Sequence, residues 1–128
     1  MLPRSNHSSL IAVIDDDISV RESVESLLKS VGFKVNTYSS AEEFIGSPRL
    51  DSADCLVLDV RLDGMSGPDL QRELKTAGHS IPIVFVTAHE TEALRERMMA
   101  DGAIDCLLKP FNDDALLNAV EIAIRSRG

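Results

Sequence analysis

Residues 55–68 read Cys55-Leu56-Val57-Leu58-Asp59-Val60-Arg61-Leu62-Asp63-Gly64-Met65-Ser66-Gly67-Pro68, and their order decides the fold. The stretch opens on a short, continuous apolar run, the pattern of a strand covered on both faces of a sheet. The run stops at a carboxylate and crosses a turn-forming segment. It then reaches Ser66-Gly67-Pro68, where proline suits the first turn of a helix. The unit is strand, loop, helix.

Read outward, the same unit recurs. Leu10–Ile14, Ile83–Val86 and Ile104–Leu108 are further apolar runs of strand length. Lys34–Tyr38 alternates, with Val35 and Thr37 on one side, and suits an edge strand. Val20, Val24, Leu27, Leu28 and Val31 recur at helix spacing, with Gly32 as a stop signal. Ser40 and Glu43 have the spacing of a capping box that opens a short helix through Ile45. After Pro68 a third helix carries Leu70 and Leu74, and a fourth is predicted from about Glu90 to Ala100. The last begins at Asn112 or Asp113, with Leu116, Leu117, Val120 and Ile124 on one side. Five strand–helix units with right-handed crossovers build an open parallel sheet with helices on both faces, a three-layer α/β fold. The expected strand order is 2-1-3-4-5. Residues 1–9 show no such pattern and read as a flexible segment, leaving residues 10–128 as the one domain.

Composition narrows the function. A chain of 128 residues has room for one core and little more. No apolar run approaches the length of a membrane span, and the polar N-terminus lacks the apolar centre of a signal peptide. A net charge of −8 argues against binding nucleic acid or anionic lipid. Cys55 and Cys106 each lie in an apolar run and have no zinc-type spacing, so two buried, reduced thiols in a cytoplasmic protein are expected.

The chemistry stands at the ends of the strands. The first run ends in Asp15-Asp16-Asp17, the third in Asp59, the fourth in Thr87 and the fifth in Lys109. In an open parallel sheet the carboxyl ends of the strands share one edge, and ligands bind where the strand order reverses. Several carboxylates crowded there repel one another and call for a cation between them. An all-oxygen set favours a hard divalent ion, magnesium first. Lys109 adds a point charge for a phosphoryl oxygen, and Thr87 adds a hydroxyl. Together these groups suit an aspartyl-phosphate, with the carboxylate attacking phosphorus while cations offset the charge. Taken singly, each residue has a plainer explanation as a cap, a turn former or surface decoration. Their joint placement on four strand ends does not.

Four segments, Val13–Asp17, Leu56–Gly67, Ile81–His89 and Leu108–Phe111, make the chain resemble the receiver domains of bacterial two-component response regulators. Within that family it is similar to the branch of the nitrogen-fixation regulators. The resemblance covers about residues 9 to 125. It implies a flavodoxin-like (βα)5 fold and a function in a phosphorelay. A sensor histidine kinase or a histidine phosphotransfer protein would pass a phosphoryl group to Asp59 in a Mg2+-dependent reaction, with Mn2+ or Ca2+ as substitutes. Asp16 would hold the metal directly, Asp15 through water, and the main-chain carbonyl of Arg61 would be a third protein ligand. Thr87 and Lys109 would hold the phosphoryl group, and the Lys109–Pro110 bond would be cis. The domain would be a signalling device and not a turnover enzyme, with no nucleic-acid or membrane contact of its own. Homodimerisation on phosphorylation, partner binding and phosphate storage all remain open as outputs. With no Pro- or Gln-rich linker after Arg127, a free-standing domain is expected.

Two positions depart from the family pattern. Cys106 stands where an aromatic residue usually couples the site to the output face, and Asp63 stands where the loop usually has proline. Arg61 and His89 occupy positions that tune the lifetime of the phosphoryl group in this family. Met98 and Met99 are expected as core filling. Three other readings compete. An aspartyl-phosphate phosphohydrolase would want a second Asp where Arg61 stands. A flavin carrier would want a phosphate loop where Asp15–Asp17 stand. A pseudo-receiver would keep the fold and signal by binding alone.

Overall fold

The computed structural model describes residues 9–89 and 91–127; the expected flexible segment therefore lies, but for Ser9, outside the described residues. Five parallel strands, β1 (Leu10–Ile14), β2 (Lys34–Tyr38), β3 (Cys55–Asp59), β4 (Ile83–Thr87) and β5 (Asp105–Leu108), form one sheet in the order β2-β1-β3-β4-β5. Between and after them run α1 (Ile18–Ser30), α2 (Ala41–Ile45), α3 (Gly67–Thr76), α4 (Glu92–Ala100) and α5 (Asp113–Arg127). A single 3-10 turn over Leu50–Ser52, without a sequence signal, precedes β3.

Alternation along the strands sends successive side chains to opposite faces, and the core divides accordingly. Ala12, Ile14, Leu56, Leu58, Phe85 and Cys106 face α2, α3 and α4, where they meet Phe44, Leu70, Leu74 and Met98. Ile11, Val13, Cys55, Val57, Val84 and Val86 face α1 and α5, where they meet Val24, Leu28, Leu116 and Val120. Cys55 and Cys106 are thus buried on opposite sides of the sheet and cannot pair. β3 and β4 are buried along their whole length, and β2 lies at the edge, as its alternation predicted.

The helix starts refine the sequence reading. Ser40 Oγ accepts from Glu43 N at 3.0 Å, but Glu43 reaches back to Ser39 N, not to the cap residue itself. The reciprocal capping box sits instead between Ser66 and Asp69 at the head of α3. α4 starts at Glu92, capped by Thr91, and so begins later than the periodicity suggested. The methionine pair splits: Met98 is core, whereas Met99 is exposed.

Candidate phosphoryl-transfer site

Asp17 resolves the aspartate triplet. Its side chain caps α1, accepting from Ser19 N at 2.9 Å and Val20 N at 3.3 Å, and is engaged there. That leaves Asp15 and Asp16. Asp15 is almost fully buried, and its Oδ1 accepts from Asp17 N at 2.9 Å. Arg21, one turn into α1, donates from Nη1 to the Asp15 carbonyl at 2.7 Å and fixes the backbone there.

The sheet order brings the rest together. β1 lies against β3 and β3 against β4, so Asp15, Asp59 and Thr87 leave neighbouring strands at one edge. Lys109 N donates to the Thr87 carbonyl at 2.7 Å, which pins the lysine-bearing loop beside them. The Lys109–Pro110 peptide is cis. Lys109 Nζ then lies 3.1 Å from Asp15 Oδ2 and 3.4 Å from Asp59 Oδ2, between two carboxylates that are each more than nine-tenths buried. Exposed Asp16 completes a set of three carboxylates, with Asp15 and Asp59, whose oxygens lie within 4.8 Å of one another.

Electrostatics follow from this crowding. Burial, then the charge of Asp15, pushes the Asp59 carboxyl up to about 6, against the opposing pull of Lys109 and of the Arg61 amide. Burial also works against the Lys109 ammonium, but the two carboxylates outweigh it and hold its pKa above the ordinary value. One ammonium between two buried carboxylates, with a third at hand, leaves unbalanced negative charge. The donors are all hard oxygens, so the residues present fit a divalent cation of the magnesium type.

The β3–α3 loop, which carries Asp63, is held at several points. Gly64 adopts a positive φ of 78°, and Met65 N donates to Glu42 Oε2 at 2.8 Å. Arg61 N donates to Asp59 Oδ1 at 3.2 Å, while the Arg61 side chain is exposed. Gly67 passes so close that a Cβ there would collide with the Asp59 carbonyl oxygen. Thr87 is buried and turned toward its own loop: Oγ1 donates to the His89 carbonyl at 2.6 Å and accepts from His89 N at 3.2 Å. The hydroxyl is thus brought to the right edge but engaged there, and the His89 side chain is exposed.

Sequence reasoning missed Arg21, Glu42 and Gly67 as supports. Only Gly67 carried a local signal, lying between a helix cap and a proline. Arg95 was also missed. From α4 it donates to the Cys106 carbonyl at 2.8 Å and lies 3.5 Å from the Asp105 carboxylate, tying α4 to β5.

A family model described as the response regulator receiver domain matches residues 11–121. The chain belongs to that family. This receiver domain is 46% identical over 115 residues to nodulation protein W of Bradyrhizobium diazoefficiens, covering 90% of this chain and 51% of that protein. It is 40% identical over 115 residues to the transcriptional regulatory protein FixJ of the same organism, covering 90% and 56%. The solved structure of response regulator StyR superposes with a TM-score of 0.87 at 44% identity, covering 94% of this chain and 61% of that one. The receiver domain spans about half the length of the curated relatives it matches. Among the described residues no helix is long and apolar enough to cross a membrane.

Proposed function

We propose that this receiver domain takes a phosphoryl group onto Asp59 from a phosphohistidine of a sensor histidine kinase or histidine phosphotransfer protein, and signals by changing conformation. The observation that carries the reading is Lys109 Nζ seated between the buried carboxylates of Asp15 and Asp59. An Asp59 oxygen attacks phosphorus, the N–P bond breaks, and the imidazole leaves with the electron pair. Lys109 follows the charge from the carboxylate pair to the phosphoryl oxygens, and the Arg61 amide holds the other Asp59 oxygen in place. Asp15, Asp16, Asp59 and the main-chain carbonyl of Arg61 would hold Mg2+, with Mn2+ or Ca2+ as substitutes. When bound, the ion offsets the charge of the phosphoryl oxygens.

The Thr87 hydroxyl must leave the His89 carbonyl to meet the phosphoryl group. That exchange frees the β4–α4 loop, which is the conformational step. Cys106 leaves no aromatic ring on β5 to follow it, so the response passes through the loop and α4. The domain acts as a cytoplasmic signalling device, not a turnover enzyme. Arg61, exposed two residues after Asp59, offers no general acid or base.

The test is the intact mass of the protein before and after acetyl phosphate or phosphoramidate, with and without Mg2+. A metal-dependent gain of one phosphoryl mass that Asp59→Asn abolishes is the expected result. A folded protein that gains nothing from either donor overturns it and favours a receiver fold that signals by binding alone.

A further inference from the structure

On the face of the sheet covered by α3 and α4, a groove of about 490 Å³ opens between the two helices. Its floor is apolar, made by Val60 and Leu62 of the β3–α3 loop, Pro68 of α3 and Leu94 of α4. Its rim is basic. Arg61, Arg72 and Arg97 line it against a single carboxylate, Asp69. That carboxylate is already committed: it accepts from Arg72 Nη2 at 2.5 Å and from Ser66 N at 3.3 Å, and the bonds from Ser66 hold its pKa below the usual carboxylate range. The groove's charged residues sum to +2, whereas the chain as a whole carries −8.

We propose that this groove docks an acidic segment of a partner protein, which seats one apolar side chain between α3 and α4. Leu94 and Arg97 stand three residues apart on α4, so an apolar contact and a guanidinium lie side by side on one face. Guanidinium forks match carboxylates in pairs and are enriched at protein interfaces. The negative charge of the rest of the surface repels an acidic ligand from other sites, so complementarity selects the groove. This inference does not depend on phosphoryl transfer at Asp59.

The test uses a fluorescein-labelled peptide of alternating aspartate, glutamate and leucine, titrated into the full chain and followed by anisotropy and amide NMR shifts. Two control peptides replace the acids by lysine or the leucines by serine. The expected result is half-saturation on the order of 100 μM, with shifts centred on the amides of Leu62 and Leu94. The lysine peptide does not shift the groove amides, and the serine peptide binds more weakly. Arg72→Glu with Arg97→Glu weakens the acidic peptide by about tenfold or more. The milder pair Arg72→Gln with Arg97→Gln weakens it less and guards against a folding defect. Shifts that map elsewhere, or no shifts at all, overturn the proposal. So does equal binding of the serine peptide, which would show a charge-only encounter. Groove shifts that follow protein concentration without peptide also overturn it, because they would assign the groove to a second copy.

Discussion

The passage from β3 into α3 and the passage from β4 into α4 leave neighbouring strands and deliver Asp59 and Thr87 to the same edge, yet they are fastened by different means. α3 buries Gly67, Leu70, Gln71 and Leu74, closes its first turn with a reciprocal capping box, and ties Gly67 N to the Val60 carbonyl at 3.0 Å. α4 buries Met98 alone. Polar contacts make up the difference: Gln71 donates to the Met98 carbonyl at 3.2 Å, and Arg95 reaches the Cys106 carbonyl. Apolar burial is non-directional and hard to undo, whereas a hydrogen bond exchanged for water or another partner is worth only about 1 kcal/mol net. Asp59 is held by the passage fastened through apolar burial, and Thr87 sits at the one fastened through polar contacts. The lesson is a division of labour between two adjacent strand ends.

The sharpest way to break the stiff passage is Gly67→Ala. Because the added methyl collides with the Asp59 carbonyl, α3 must retreat, at an expected cost of about 2–4 kcal/mol in urea unfolding. A loss under about 0.5 kcal/mol would show that the passage gives easily. Asp59→Asn should act in the opposite direction. The folded, metal-free protein binds the Asp59 proton more tightly than the unfolded chain does, with a pKa of about 6 against 3.8. That contribution to stability is present at low pH and is lost as pH rises from about 4 to about 6. Removing the charge should therefore stabilise the metal-free protein at neutral pH by about 1–3 kcal/mol and flatten its stability over that window. An unchanged pH profile in the variant would contradict the crowding of Asp15 and Asp59.

On the α4 side, Arg95→Met should cost only about 1 kcal/mol globally. Amide exchange should nevertheless quicken throughout α4 and stay unchanged in α3, which hydrogen-exchange mass spectrometry resolves. Equal acceleration in both helices would mean that the two passages are fastened alike. The finest comparison is between the caps. Ser66→Ala removes half of a reciprocal pair, and Thr91→Ala removes a single cap bond at 3.1 Å. Both losses should be near 1 kcal/mol, with that at Ser66 the larger by a few tenths in paired thermal melts.

Much of this was legible in the chain, and the reason is physical. Strands buried on both faces must be continuously apolar, so β1, β3 and β4 declared themselves, and the polar residue ending each run marked the edge that carries the candidate site. The parallel sheet followed from the strand–helix alternation, because each crossover consumes a helix, whereas the order 2-1-3-4-5 was inferred from the fold class. What stayed hidden depends on contacts between segments distant in sequence. Nothing near Glu42 says that it braces Met65, and nothing near Arg95 says that it grips β5. The orientation of Thr87 was equally hidden, since a hydroxyl at a strand end can turn either to a ligand or to its own loop. α4 began later than its periodicity suggested because a helix that buries one side chain offers little apolar pattern to read.

The contact between Lys109 Nζ and Asp15 joins residues 94 positions apart, and that separation sets when the cluster is assembled. Every strand pairing in the sheet is parallel, so none can close as a local hairpin, and loop closure must precede each reward. A chain emerging from the ribosome displays Asp15 and Asp59 long before Lys109 arrives to offset part of their charge. Until β5 docks against β4, those carboxylates have no ammonium between them, and the Thr87 carbonyl lacks the Lys109 amide that anchors the last loop. Assembly of the carboxylate–lysine cluster and completion of folding are therefore one event. Under the proposed phosphoryl transfer, a partly unfolded domain should gain no phosphoryl mass from acetyl phosphate, and a truncation that removes β5 should abolish the gain as thoroughly as Asp59→Asn.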